Sequence, residues 1–180
     1  MIEKVTDIVK LIIREKDDCK IAVDMTFGKG FDSKFILENP NIEKLYAFDI
    51  QEESQNFSKQ LIKDDKRFNF FLESHANIDK IVKEKIDLAV YNLGFLPGAD
   101  KSITTKTGST LESLRKLLAL LNKKGLIIIT VYTGHEEGKK EASALETFIK
   151  EIDPKVYPVL KIGYENRPNN PPYILLIGKK

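Results

Sequence analysis

Five short stretches of the sequence hold residue types that do chemistry where α/β proteins bind ligands. The first is Asp24-Met25-Thr26-Phe27-Gly28-Lys29-Gly30, a Gly-x-Gly turn directly after an apolar stretch, with Asp32 close behind it. Glycines let the backbone approach a ligand closely, and the helix start that follows favours an anionic group. The second is Asp49, about 20 positions after Gly30, the spacing at which a carboxylate accepts hydrogen bonds from ribose hydroxyls. Gln51 lies beside it and serves the same ribose. The third, Ser74-His75, follows a strand-like run and suits contact with a purine ring. The fourth is Asn92, opening the turn Leu93-Gly94-Phe95-Leu96-Pro97-Gly98. An amide oxygen and neighbouring carbonyls hold the hydrogens of an amine and aim its lone pair, and positioning of this kind supplies most of the rate in a displacement at carbon. The fifth, Tyr132-Thr133-Gly134-His135, places an imidazole where it either accepts the amine proton or holds the nucleotide.

Each stretch also has a purely structural reading. Gly-x-Gly serves ordinary β–α turns, Asp49 can cap a helix, and His75 can sit in a polar surface loop. Asn92 can be buried in a β-turn, and His135 can be a plain N-terminal helix residue. Dinucleotide binding is disfavoured because Ser33 stands where the third glycine of that pattern belongs.

The elements that must position these residues alternate along the chain. A lead-in helix is expected over Ile2–Ile13, where Val5, Ile8, Val9 and Ile12 recur at helical spacing. Strands are expected at Cys19–Val23, Lys44–Asp49, Arg67–Leu72, Asp87–Tyr91 and Leu126–Val131. Helices are expected over Asp32–Leu37 (capped by Asp32 or Ser33), Glu52–Lys63, Thr110–Leu121 and Glu137–Ile152. Val156–Ile162 and Tyr173–Ile177 follow with no helix between them, which predicts a final antiparallel hairpin on a mostly parallel sheet. The Asn166-Arg167-Pro168-Asn169-Asn170-Pro171-Pro172 segment makes a rigid hairpin loop, and Leu93–Thr107 is long enough to be a functional loop.

At 180 residues the chain fits one domain, read as 1–180, with 42% hydrophobic and 31% charged residues. No apolar run approaches membrane-spanning length, and no secretory leader is visible. Cys19 is the single cysteine, so no intrachain disulfide forms, and two histidines leave little for a metal. These features point to a cytoplasmic, metal-free protein without a membrane partner. A net charge of +2 is too small for a protein that merely coats nucleic acid.

As an ordered set, the blocks resemble a known family, the tRNA 5-aminomethyl-2-thiouridine methyltransferases long labelled rRNA methylases. The matching pieces are Asp24-x-Thr26-x-Gly28-x-Gly30-x-Asp32, Phe48-Asp49-Ile50-Gln51, Asn92-Leu93-Gly94-Phe95-Leu96-Pro97-Gly98-x-Asp100-Lys101, Tyr132-x-Gly134-His135-x-x-Gly138-x-x-Glu141 and Asn170-Pro171-Pro172. The resemblance implies a Rossmann-like class I fold with a seven-stranded sheet, S-adenosylmethionine (SAM) as cofactor, and methylation of an exocyclic amine on a wobble uridine. Carried onto this chain, it makes Asp24, Gly28, Lys29, Gly30, Asp32, Asp49, Gln51, Ser74 and His75 the cofactor-binding set. Asn92, Tyr132 and His135 become the catalytic set, the tRNA anticodon loop the partner, and a homodimer is left open. The departures are Lys29 where Asn is expected, Met25 where Ala is usual, and Phe31 in place of a more polar residue. The competing readings are methylation of rRNA or of a small-molecule amine, and a noncatalytic module that binds RNA or a nucleotide.

Overall fold

The computed structural model describes residues 3–93 and 107–180; the Gly94–Lys106 part of the expected active-site loop lies outside the described residues. Seven strands form one sheet in the order β3-β2-β1-β4-β5-β7-β6. The strands are β1 (Ile21–Asp24), β2 (Lys44–Asp49), β3 (Phe68–Leu72), β4 (Ile86–Asn92), β5 (Leu121–Val131), β6 (Val159–Ile162) and β7 (Tyr173–Gly178). The first five pair in parallel, and β7 runs antiparallel to both β5 and β6. The expected terminal hairpin is therefore present, with β7 inserted between β5 and β6.

Parallel strands covered on both faces must be apolar on both, and alternate residues here serve opposite layers. Val23, Tyr46, Phe48, Ala89, Tyr91, Ile127 and Ile129 pack beneath α4 (Ile78–Ile81), α5 (Thr107–Leu120) and α6 (Glu136–Glu151). Ala22, Leu45, Ala47, Leu88, Val90 and Ile128 pack against α1 (Val5–Glu15) and α2 (Phe31–Ile36), with Ile62 just beyond α3 (Glu52–Leu61) joining the same layer. In α1 the buried Val5, Val9 and Ile13 lie one turn apart and make the inward stripe. Cys19 fills this second layer, and burial pushes its thiol up to about 12, so it is a packing group.

The chain winds outward from β1 to β3 and then restarts at β4 on the other side of β1. Strand order reverses between β1 and β4, so their carboxyl ends flank the crevice where open α/β sheets bind ligands. Two differences from the sequence reading matter here. A 3-10 turn (His75–Asn77) and the single-turn α4 occupy the β3–β4 connection, too short to show a helical period. Strand β5 begins at Leu121, where the helix was expected to end.

Candidate active site

Asp24 ends β1, and the chain turns through Gly28 (φ 55°) and Gly30 (φ 78°) before α2 begins. Gly30 is the N-cap of α2, not Asp32 or Ser33. A Cβ on Gly30 would fall 2.4 Å from the Phe27 ring, so both its left-handed backbone and its packing require glycine. Ser33 turns inward instead: its buried hydroxyl donates to Asp24 Oδ2 at 2.7 Å. Asp24 also accepts the Thr26 N–H at 3.2 Å. Burial, reinforced by the charge of Asp32, pushes the Asp24 carboxyl up to about 7.

The two glycine amides of the turn have internal partners. Gly28 donates to Asp49 Oδ2 at 2.7 Å, and Gly30 donates to the Phe27 carbonyl at 2.7 Å. The turn therefore offers close backbone approach more than a cradle of free N–H groups. Asp49 Oδ1 accepts the Gln51 N–H at 3.0 Å, so this carboxylate joins the ends of β1 and β2. Gln51, not Asp49, is the N-cap of α3. Each Asp49 oxygen keeps lone-pair capacity for a further donor such as a ribose hydroxyl.

Two polar atoms near Asp49 are buried without a partner among the described residues: Gln51 Oε1 and His75 Nε2. His75 is buried, 9% exposed, which replaces the surface position that its polar loop suggested. Its Nδ1 lies 2.9 Å from the Met25 carbonyl, so Nδ1 carries the proton and Nε2 is an unmet acceptor. Burial holds its pKa below the usual histidine range. Ser74 caps the 3-10 turn, its hydroxyl accepting the Ala76 N–H at 3.2 Å. Buried acceptors left unmatched are costly unless something donates to them. A nucleoside with ribose hydroxyls and a purine amine fits that need, and exposed Ile50 and Leu72 at the ends of β2 and β3 supply apolar surface for its ring. Sequence patterning did not single out either residue, because an exposed apolar side chain after a strand carries no periodic signal.

Lys29 does not reach toward Asp24 or Asp49. Its ammonium lies over the Phe57 ring of α3, 6.0 Å from the centroid. Phe31, the next departure, is 65% exposed at the start of α2.

Across the crevice, β4 ends in Asn92, whose backbone N–H donates to Thr26 Oγ1 at 2.7 Å. The Asn92 side-chain amide donates to the Asp32 carboxylate. Asn92, Asp32 and Asp24 are thus brought together from β4, α2 and β1. Burial raises the Asp32 pKa, while Lys10 on α1 and the Asn92 amide pull it down. Tyr132, just past β5, is half-buried, and burial together with the Asp32 charge raises its phenol pKa. His135 is the N-cap of α6: its Nδ1 accepts the Gly138 N–H at 3.0 Å. Glu141 is buried and accepts the Thr110 hydroxyl at 2.7 Å, tying α6 to α5. The block from Tyr132 to Glu141 therefore includes structural members whose work is to fix α6 beside the crevice.

A family model described as "Putative rRNA methylase" matches residues 45–178. The chain belongs to that family. The methylase is 32% identical to "a putative methyltransferase" from Streptococcus mutans solved "in complex with SAH", with a TM-score of 0.89 and 100% of both chains covered. It is 28% identical to a "putative rRNA-methylase" from Clostridium thermocellum, with a TM-score of 0.91 and 100% of both chains covered. A curated relative, the chloroplastic tRNA (mnm(5)s(2)U34)-methyltransferase of Arabidopsis thaliana, is 27% identical over 195 residues, covering 99% of this chain and 70% of the relative. The methylase has the Rossmann-like class I methyltransferase fold. Among the described residues, no helix is long and apolar enough to cross a membrane.

Proposed function

We propose that this methylase transfers a methyl group from SAM to the exocyclic amine of 5-aminomethyl-2-thiouridine at the wobble position of tRNA. It is a SAM-dependent methyltransferase, and the finer reading concerns the acceptor. The observation that carries it is the setting of Asn92. Its backbone is tied to the β1 turn through Thr26, and its amide nitrogen is engaged by Asp32. With that nitrogen engaged, Oδ1 is the end of the amide left to receive an amine hydrogen.

The chain's own residues divide the work. Asp49 and Gln51 suit the ribose, His75 and the Ile50–Leu72 surface suit the purine, and the Gly28–Gly30 turn suits the amino-acid end. When bound, the cofactor supplies an electrophilic methyl on a sulfonium. Asn92 holds the amine and directs its lone pair, and Tyr132 remains a protonated phenol that donates. A wobble base lies in a single-stranded loop, so it reaches such a crevice without the opening of a duplex. The name of the Arabidopsis relative supports tRNA, whereas the family description favours rRNA as the second reading.

The test is incubation with SAM and tRNA carrying 5-aminomethyl-2-thiouridine, followed by nucleoside mass spectrometry. The methylaminomethyl nucleoside is expected. An unchanged nucleoside, with SAM binding established by calorimetry and ribosomal RNA methylated under the same conditions, would move the assignment to rRNA.

A further inference from the structure

We propose that Asp32 is the proton acceptor of the reaction, its carboxylate taking the proton that the substrate's alkylammonium must lose before nitrogen can attack. The assignment rests on the amine reading above. An alkylamine has a pKa of about 10, as lysine does. At neutral pH it arrives as an ammonium with no lone pair, so a nearby group must hold its proton.

Among the described residues, the groups around Asn92 leave one suitable acceptor. The Tyr132 phenol stays protonated, because burial and the neighbouring carboxylate both oppose its ionisation. His135 has its Nδ1 committed to the Gly138 N–H in the α6 cap. Asp24 is fully buried, and its two oxygens are engaged by Ser33 and Thr26. Lys10 is a cation. Asp32 is partly exposed and already accepts a hydrogen bond from the Asn92 amide. Asp32 and Asn92 Oδ1 then present two adjacent acceptors to one ammonium.

The step balances within these groups. A proton passes from the ammonium to Asp32, and the freed nitrogen lone pair forms the N–C bond while the C–S electron pair returns to sulfur. The product leaves as a secondary ammonium, and Asp32 returns its proton to water. Burial of the Asp32 carboxyl raises its affinity for a proton, which assists the transfer. Among the described residues, the charged and titratable groups facing Asp32 are Lys10 from α1, Asp24 from β1 and Tyr132 after β5. Burial raises the Asp32 carboxyl, and Lys10 and the Asn92 amide lower it.

The test uses Asp32→Asn and Asp32→Glu with a synthetic anticodon stem-loop bearing 5-aminomethyl-2-thiouridine and isotopically labelled SAM. Asn keeps an acceptor for the Asn92 amide, so a merely positioning role would survive the change. The expected result is a loss of at least about 100-fold in kcat for Asp32→Asn, as for removal of a general base. Its SAM Kd by calorimetry should stay within about threefold of wild type, and Asp32→Glu should recover part of the rate. Wild-type kcat should fall on acidification, with that acid limb missing from the residual Asp32→Asn activity. Retention of wild-type kcat by Asp32→Asn overturns the assignment alone. A SAM affinity that falls in step with activity also overturns it, making Asp32 a cofactor ligand. If Asp32→Asn shows no cooperative melt, a pH-independent wild-type kcat between about pH 5 and 8 overturns it instead. A wild-type enzyme that binds SAM but leaves this RNA unmethylated overturns the amine reading, and this one with it.

Discussion

The imidazole of His135 and the N–H of Gly138 form a helix cap, with Nδ1 accepting at 3.0 Å across the first turn of α6. The cap explains why the two residues occur at this spacing. A Cβ at position 138 would fall 2.0 Å from the Tyr132 carbonyl and 2.5 Å from the His135 ring. Gly138→Ala should therefore be more destabilising than loss of the cap itself, because backbone must shift. His135→Ala should cost about 1 kcal/mol, whereas His135→Asn, itself a good cap, should stay close to wild type. Urea unfolding of the three variants checks the order.

Asp24 makes stability depend on pH in an unusual direction. Its folded carboxyl is raised to about 7 from the ordinary carboxylate value of 3.8, chiefly by burial. A group raised on folding contributes stability fully below its unfolded pKa, and that contribution is lost as pH rises through the folded value. Asp24→Asn should therefore melt close to wild type near pH 4 and above it at pH 8, with the gap widening between. Thermal melts across that range decide the matter, and a gap that narrows with rising pH would contradict the burial argument.

Asp49 bridges the Gly28 and Gln51 amides, so it shapes the crevice as well as offering a ribose partner. Asp49→Ala should weaken SAM binding at least about tenfold, equivalent to about 1.4 kcal/mol. Titration calorimetry gives the answer directly, and an unchanged Kd would reduce Asp49 to a structural tie.

Phe31 exposes an aromatic ring at the start of α2, one residue from Asp32. Stacking of a base on such a ring contributes about 1–3 kcal/mol. Phe31→Ala should therefore raise KM for the anticodon stem-loop about tenfold while leaving SAM affinity alone. A KM unaffected by the change would remove Phe31 from the RNA surface.

The β–α alternation, the terminal hairpin and the glycine turn were legible because periodicity and glycine chemistry are local. The distance of Asp49 from Gly30 placed it at the end of β2, where it accepts the Gly28 N–H. What escaped the sequence depended on long-range partners. Ser33 looked like a cap but turns inward because Asp24 accepts its hydroxyl. Lys29 lies over Phe57, a residue of the next helix, a contact that its place in the glycine loop does not reveal. His75 reads either as a purine contact or as a histidine of a polar surface loop, and only the Met25 carbonyl beside its ring reveals that it is buried. The pairing of Asn92 with Asp32 joins two motifs that nothing in their separate spacing connects.

The central claim, that the accepting atom is an exocyclic amine held at Asn92, is tested most directly with two anticodon stem-loops. They differ only in whether the wobble uridine carries the 5-aminomethyl group. With isotopically labelled SAM, label should enter the aminomethyl RNA alone and be recovered in the methylaminomethyl nucleoside. Equal labelling of both RNAs, or labelling of neither by an enzyme that binds SAM, would contradict the account.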